Sequence, residues 1–438
     1  MMNRLLGFLK EANQVLWGGP LLLLLLGTHL YFTVRCRFVQ RRIGRAVKLS
    51  VAPDTEGEGN ISPFATLATT LAATLGTGNI VGVSTAVALG GPGAVFWCWL
   101  TGVFGMATTY AECYLSILYR KRGPDGTYVG GPMYVLENGL HAKPLAVLFA
   151  LFMLLASYGV GCSAQSRAIA DTAGSLFKIP DFAAGLAAAG LTGLAILGGV
   201  SSISRICTRL VPAMGALYIG GCLILLAMNA SSLLPALGLI LRSAFTPQAA
   251  VSGFTGSTIQ LAARYGIARG LFTNEAGLGT AAITAASGKT RTPSAQALIS
   301  MSATFWDTVV MCALTGLLIV SSILSDPSSI AGVSDGDYTA AAFARIPAGP
   351  FILGISVIAF AIATLIGWSY FGDCAVNYLF GSRCVKTFRF WYLFMIFLGA
   401  IMPLTLVWEA TDFINALMTL PNLLALWLLR KKIPRDPL

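Results

Sequence analysis

The chain has 438 residues, of which 56% are hydrophobic and only 11% charged, and its mean hydropathy is +0.75. The charged share is less than half of what a soluble globular domain carries, and apolar runs of about 20 residues recur along the whole length. A large soluble core is therefore excluded in favour of an all-α integral membrane protein. The formal net charge of +11 does not indicate nucleic acid, because the basic residues sit in short segments between apolar runs, as in loops that face anionic lipid.

In chain order, eleven membrane-spanning runs can be drawn: 17–35, 62–89, 92–119, 143–170, 181–199, 210–230, 254–287, 296–323, 350–380, 390–408 and 412–430. The first is followed by six basic residues from Arg35 to Lys48. A cleaved signal would carry its charge ahead of the run, so the run reads as a retained helix entering from outside. Every second loop is then basic: Arg120–Arg122, Arg205 and Arg209, Lys289 and Arg291, Arg383 to Arg389, and the tail from Arg430. The intervening 324–349 loop carries Asp326, Asp335 and Asp337 against Arg345 alone. This alternation puts the N-terminus outside and the C-terminus in the cytoplasm, and an even number of spans would break it. The segment Arg122 to Tyr134, RGPDGTYVGGPMY, reads as a cytoplasmic turn.

The second span is unusual. It runs ISPFATLATTLAATLGTGNIVGVSTAVAL, with Thr74, Gly76, Thr77, Gly78 and Asn79 near its middle. Two glycines one residue apart lower the cost of leaving helical geometry, yet the released backbone groups find no partner in hydrocarbon. Close packing through small residues is one explanation. The other is a discontinuous helix of the kind secondary transporters use, in which half-helix N-termini attract a carboxylate and unwound carbonyls hold a cation.

The seventh span favours the second explanation, because GLFTNEAGLGTAAITAA, Gly270 to Ala286, again puts Asn, Glu and glycines inside a spanning run. Five is odd, so two five-span repeats, 2–6 and 7–11, lie in opposite orientations, as an inverted repeat requires. The domains are then 1–50 (an added helix and basic segment), 51–232 (first repeat) and 233–438 (second repeat and tail). Arg264 and Arg269, ahead of the motif, sit poorly in lipid. They indicate either a half-helix facing a wet vestibule or an interfacial helix.

Nine cysteines without a CxxC pair read as core packing, and two histidines leave little for a metal site or an enzyme. No cofactor, nucleic acid or obligate protein partner is expected beyond the lipid bilayer. A channel would favour one continuous polar pore over two isolated breaks. Three intramembrane acids, Glu112, Glu275 and Asp307, are each either a proton or ion carrier or a structural carboxylate. Glu275 reads as structural, since a carboxylate there would repel a substrate carboxylate.

Gly76–Glu112, Arg264–Ile283 and Ile366–Gly381 closely resemble the alanine or glycine:cation symporter family, and the similarity extends from about Ser62 to Asn422. The resemblance implies a leucine-transporter-like fold and sodium-coupled uptake of a small neutral amino acid such as alanine or glycine. It also implies a bacterial or archaeal plasma membrane, with proton coupling through Glu112 or Asp307 as the alternative. On this likeness Thr77, Gly78 and Asn79 offer N–H groups to the substrate carboxylate, and Gln165 hydrogen-bonds the substrate. Carbonyls near Gly270–Thr273 take the ammonium, with Asn274 and Glu275 tying the break together. Thr364 and Trp368 share a helical face where the indole closes over a methyl-sized side chain. Sodium, as co-substrate, is assigned to carbonyls of Ala72 and Leu75 with a hydroxyl from Thr364 or Ser369. Cys162 stands where family members commonly have Asn, which matters only if it faces the pocket.

Overall fold

The computed structural model describes residues 2–17, 19–52, 57–123, 126–247, 258–402 and 405–436. Residues 254–257 of the seventh run and 124–125 of the glycine-rich turn lie outside them. The chain is almost wholly helical, as hydrocarbon demands of a backbone that must bond to itself. Among the described residues seven helices are long and apolar enough to cross a membrane, or eight if one bent pair counts as a single span.

An amphipathic helix α1 (Met2–Trp17) precedes α2 (Pro20–Arg35), which buries Leu21, Leu25, His29 and Phe32. After α3 (Ile43–Val51) comes α4 (Pro63–Thr74), opened by Pro63 and by Ser62, whose hydroxyl accepts the Ala65 N–H. A tight turn, Thr77–Asn79, joins α4 to α5 (Val81–Gly90), and the two half-helices are bent by 65°. Helix α6 (Gly93–Leu118) then crosses without interruption. A small hairpin, β1 (Lys121–Arg122) and β2 (Tyr128–Val129), and the short α7 (Pro132–Tyr134) follow.

The fourth span is α8 (Lys143–Tyr158) and α9 (Ala164–Phe177), joined by one π-helical turn, Gly159–Ser163. Helices α10 (Asp181–Ile196) and α11 (Gly199–Met228) complete the first half. Here α11 starts well before the sixth run, and it takes Arg205 and Arg209 out of a loop and into its first turns. An additional helix, α12 (Ala230–Phe245), was not expected from hydropathy.

The seventh span is α13 (Ile259–Asn274) and α14 (Thr280–Ser287). Between them Glu275 (φ 52°), Gly277 (φ 93°) and Gly279 (φ 87°) are left-handed, which glycine tolerates and glutamate rarely does. The break therefore lies at 275–279. Next come α15 (Pro293–Thr304), a π-helical stretch Phe305–Cys312 and α16 (Ala313–Ser325). The short α17 (Tyr338–Phe343), α18 (Gly349–Phe380), α19 (Val385–Ile401) and α20 (Thr405–Leu428) finish the chain.

Helix α6 packs along α13 and α15, while α18 packs on α4, α9 and α11. Glycine sets the α4–α18 approach, since a Cβ at Gly367 would lie 2.7 Å from the backbone nitrogen of Ala73. On the face carrying the basic loops, the lead into α4 pairs with the exit from α14. Glu58 and Thr290 exchange N–H···O bonds of 3.2 and 3.1 Å, and Lys289 N–H reaches Ile61 O at 2.8 Å. Arg120 donates to Glu58 O (2.9 Å), Ala286 O (3.2 Å) and Gly288 O (3.1 Å), with its guanidinium 4.3 Å from the Tyr128 ring centroid. Tyr128 in turn donates to the Glu58 carboxylate, which holds the phenol above its ordinary pKa.

Gly367→Ala should force α4 and α18 apart and cost about 1–3 kcal/mol. A lowered detergent melting temperature checks this; an unchanged one would show that the approach is not tight.

Candidate functional site

Both breaks face one cavity of about 730 Å³. It runs from Gly76, Thr77, Gly78, Gln165, Thr273 and Thr364 out to Asp171, Asp337 and Ala340 at the face that carries α17.

The turn at 76–79 is held by side-chain amides. Asn79 Oδ1 accepts the Gly76 N–H (3.1 Å), while Asn79 Nδ2 donates to the Asp307 carboxylate (2.8 Å) and to the Asp307 carbonyl (3.2 Å). Because the Gly76 N–H is spent on Asn79, the carbonyl of Ala72 loses its i+4 helical donor. Leu75 leaves helical geometry (ψ 96°), and its carbonyl accepts the Thr364 hydroxyl at 3.2 Å. The N–H groups of Thr77 and Gly78 take no backbone partner among the described residues and lie on the cavity wall. Asn79 itself is fully buried and braces the turn instead of lining the cavity.

On the opposite wall the Ala276 N–H is spent on Asn274 Oδ1 (3.0 Å), so the carbonyl of Phe272 loses its donor in the same way. Within the expected stretch Gly270–Thr273, Phe272 is therefore the residue whose carbonyl is freed, whereas Gly270 is inside α13. A Cβ at Gly270 would lie 1.9 Å from Thr101 Oγ1 of α6, so that glycine serves helix packing. One wall thus offers unspent N–H groups and the other unspent C=O groups.

Gln165 is buried at the inner end, with Oε1 free of any hydrogen-bond partner. The π turn before it lets the chain slip by one residue and turns Gln165 toward Gly76, where a Cβ would sit 3.7 Å from either amide atom. Trp368 does not reach the cavity. It is fully buried behind Gly161, where a Cβ would come within 2.3 Å of it, and its indole N–H faces the Glu275 carboxyl together with Thr280. Ser369 bonds the Ile366 carbonyl (2.7 Å). Cys162 faces α19, with Sγ 3.6 Å from the Tyr392 carbonyl, so it leaves the pocket's polarity unchanged. Glu112, fully inside, accepts from Asn422 at 3.0 Å.

The sequence reading missed Asp171 and Asp412 as cavity residues, while Phe272 lay within its Gly270–Thr273 stretch and Arg269 was one of its two vestibule arginines. Arg269 faces the wet side, which settles its awkward fit with lipid. Asp412, an acid within an apolar run, carries the same signal as the three acids that were weighed.

An all-helical membrane protein with two broken spans meeting at one cavity belongs to the class of secondary carriers with the leucine-transporter-like fold. MhsT, solved in complex with L-phenylalanine, superposes with a TM-score of 0.60 at 18% identity over 85% of this chain and 89% of that one. The chain belongs to the sodium:alanine symporter family, whose model matches residues 2–436. It is 43% identical to the sodium/alanine symporter AgcS of Methanococcus maripaludis, over 96% of this chain and 94% of that protein. An uncharacterized transporter of Haemophilus influenzae is 44% identical over 97% of this chain and 94% of its own.

A cysteine at Thr172, on the outer wall, should react with a membrane-impermeant maleimide in a Cys384→Ser background, since the eight other native cysteines are buried. One at Thr284, fully buried between the half-helices, should not. Equal labelling would mean that the cavity is not confined to one side.

Proposed function

We propose that this protein carries a small neutral amino acid, alanine foremost and glycine next, into the cell with sodium by alternating access. The observation that carries the reading is the pairing of unspent N–H groups at Thr77 and Gly78 with unspent C=O groups at Phe272 and its neighbours across one cavity. A zwitterion has the complementary charges: its carboxylate suits the N-terminal end of α5 and its ammonium the C-terminal end of α13. The vacant Gln165 Oε1 supplies another acceptor for the ammonium. Sodium, as co-substrate, is assigned to the carbonyls of Ala72 and Leu75 with the Thr364 hydroxyl. Ser369, engaged with Ile366, is the weaker candidate.

The working arrangement is eleven spans in a bacterial or archaeal plasma membrane: α2, then two inverted five-span repeats. The first repeat starts at the α4–α5 pair and the second at the α13–α14 pair. The N-terminus is outside and the C-terminus cytoplasmic. The cavity then faces outward, and the Glu58–Thr290 pairing with Arg120 closes the inner side. Release requires that this pairing part.

Sodium-gradient-driven accumulation of labelled alanine in proteoliposomes is the direct test. Uptake driven by a proton gradient with sodium absent would replace sodium by protons. Gln165→Ala should raise the KM for alanine about tenfold, the loss of one charge-assisted hydrogen bond. An unchanged KM would remove Gln165 from the site. Arg120→Ala should increase labelling of a cysteine at Thr284 from the cytoplasmic side, and continued protection would show that Arg120 is not part of the closure.

A further inference from the structure

Two buried acids lie outside the cavity, and each reaches across the molecule. Asp307 belongs to the π-helical stretch between α15 and α16, in the second half of the chain. Its Oδ1 accepts Asn79 Nδ2 at 2.8 Å, and its Oδ2 accepts the Thr308 hydroxyl at 2.6 Å. The π geometry turns this carboxylate toward the first half, where Gly102 of α6 lets Thr308 approach: a Cβ there would be 2.7 Å from Thr308 Cγ2. Through Asn79 the carboxylate fixes the amide that holds the Gly76 N–H.

Glu112 belongs to α6, in the first half. Its Oε2 accepts Asn422 Nδ2 at 3.0 Å, and the same amide donates to the Gly277 carbonyl at 2.8 Å. The Glu112 carboxyl also lies against the backbone N–H groups of Gly277 and Gly279, which lead into α14. A carboxyl oxygen accepting at that position suits the N-terminal end of a half-helix.

We infer that Asp307 and Glu112 are reciprocal positioning residues, each holding the broken helix of the opposite half of the chain through one intervening asparagine. This rests on the reading of the two breaks as the carrier's binding segments. In each case the chain of contacts is acid, asparagine amide, backbone group of the break: Asp307–Asn79–Gly76 and Glu112–Asn422–Gly277. The acids sit on α6 and on the helix built from α15 and α16, each of which directly follows a broken span. The brace therefore crosses between halves, and neither break can rearrange without straining a helix of the other half. Neither acid lines the cavity, so both act through backbone placement and not by contact with substrate.

The test uses the full chain in detergent and in proteoliposomes. Asp307→Ala should speed hydrogen exchange at 76–79 about tenfold, the loss of one charged hydrogen bond, and leave 275–279 unchanged. Glu112→Ala should do the converse. Where an acid variant fails to fold, Asn79→Ala cuts the whole Asp307 link and should reproduce its pattern, while Asn422→Ala removes only the amide route from Glu112 and should loosen 275–279 less than Glu112→Ala does, with 76–79 unchanged. Loosening confined to the mutated acid's own helix, or no loosening, overturns the inference. In sodium-driven uptake, Asp307→Ala should raise the alanine KM about tenfold. Asp307→Asn keeps an oxygen for Asn79 and should stay within about threefold, with the wild-type pH profile. Loss of net uptake in Asp307→Asn with exchange retained would make Asp307 a charge carrier and overturn its positioning role. Failure of the wild type to accumulate alanine would sink the functional reading alone, and hydrogen exchange would still decide the braces.

Discussion

A backbone amide in hydrocarbon must have a partner, and the rest of this structure follows from how two interruptions meet that demand. A continuous helix satisfies every N–H and C=O internally. Breaking it in mid-membrane frees several at once, and each unsatisfied group costs several kcal/mol. The chain answers with asparagine. Asn79 takes the Gly76 N–H and Asn274 takes the Ala276 N–H, at 3.1 and 3.0 Å. Each of these bonds satisfies one donor and at the same time strips a carbonyl one turn earlier, at Ala72 and Phe272. The side chain that stabilises the turn is thus the one that exposes an acceptor for something else to fill. Stability and binding capacity come from the same contact.

Legibility in the sequence tracks how local each feature is. The α4–α5 break is visible because its cause, two glycines flanked by hydroxyls and an amide, lies within five residues. The α13–α14 break is visible in kind and displaced in position. Gly270 looks like the start of an unwinding but is a small residue under Thr101, a contact with a helix some 170 residues away in sequence, whereas the turn rests on Gly277 and Gly279. A glycine that relieves a clash and a glycine that permits a left-handed turn have the same letter. Trp368 fails for a related reason: helical spacing put it on the face of Thr364, but Gly161 admits the ring into the space between α18 and the π turn, away from the cavity.

The π-helical stretches were illegible. The two within spans, GVGCS and FWDTVVMC, shift the register of a spanning helix, and although Asp307 stands out as an intramembrane acid, no feature of either segment signals π geometry. Yet these shifts aim Gln165 at the first break and Asp307 at Asn79. Helix α12 escaped notice because its 16 residues include Pro235 and Arg242, which interrupt the apolar run that a spanning reading needs. The amphipathic α1 is tied down by side chains no local pattern reveals, with Asn13 donating to Glu409 and Trp17 to the Asp412 carbonyl in the first turns of α20.

The closed face and the open face are built from different kinds of bond, and that difference bears on how the molecule can cycle. Around the cavity several polar groups are unspent, among them the Thr77 and Gly78 N–H groups and Gln165 Oε1, and charged residues such as Arg269 and Asp412 stand on its walls with Asp412 Oδ1 unpartnered. On the opposite face the described segments are tied together by backbone pairing of 58–61 with 287–290 and by three donations from Arg120. Several hydrogen bonds that must break together form a two-state contact rather than a gradual one. On the proposed cycle, a ligand that satisfies both cavity walls would draw α5 and α13 toward each other, and each is continuous through its turn with the other half of its span, α4 or α14. Closing one end would then strain the pairing at the other, and the energy of ligand binding would be what becomes available to break it.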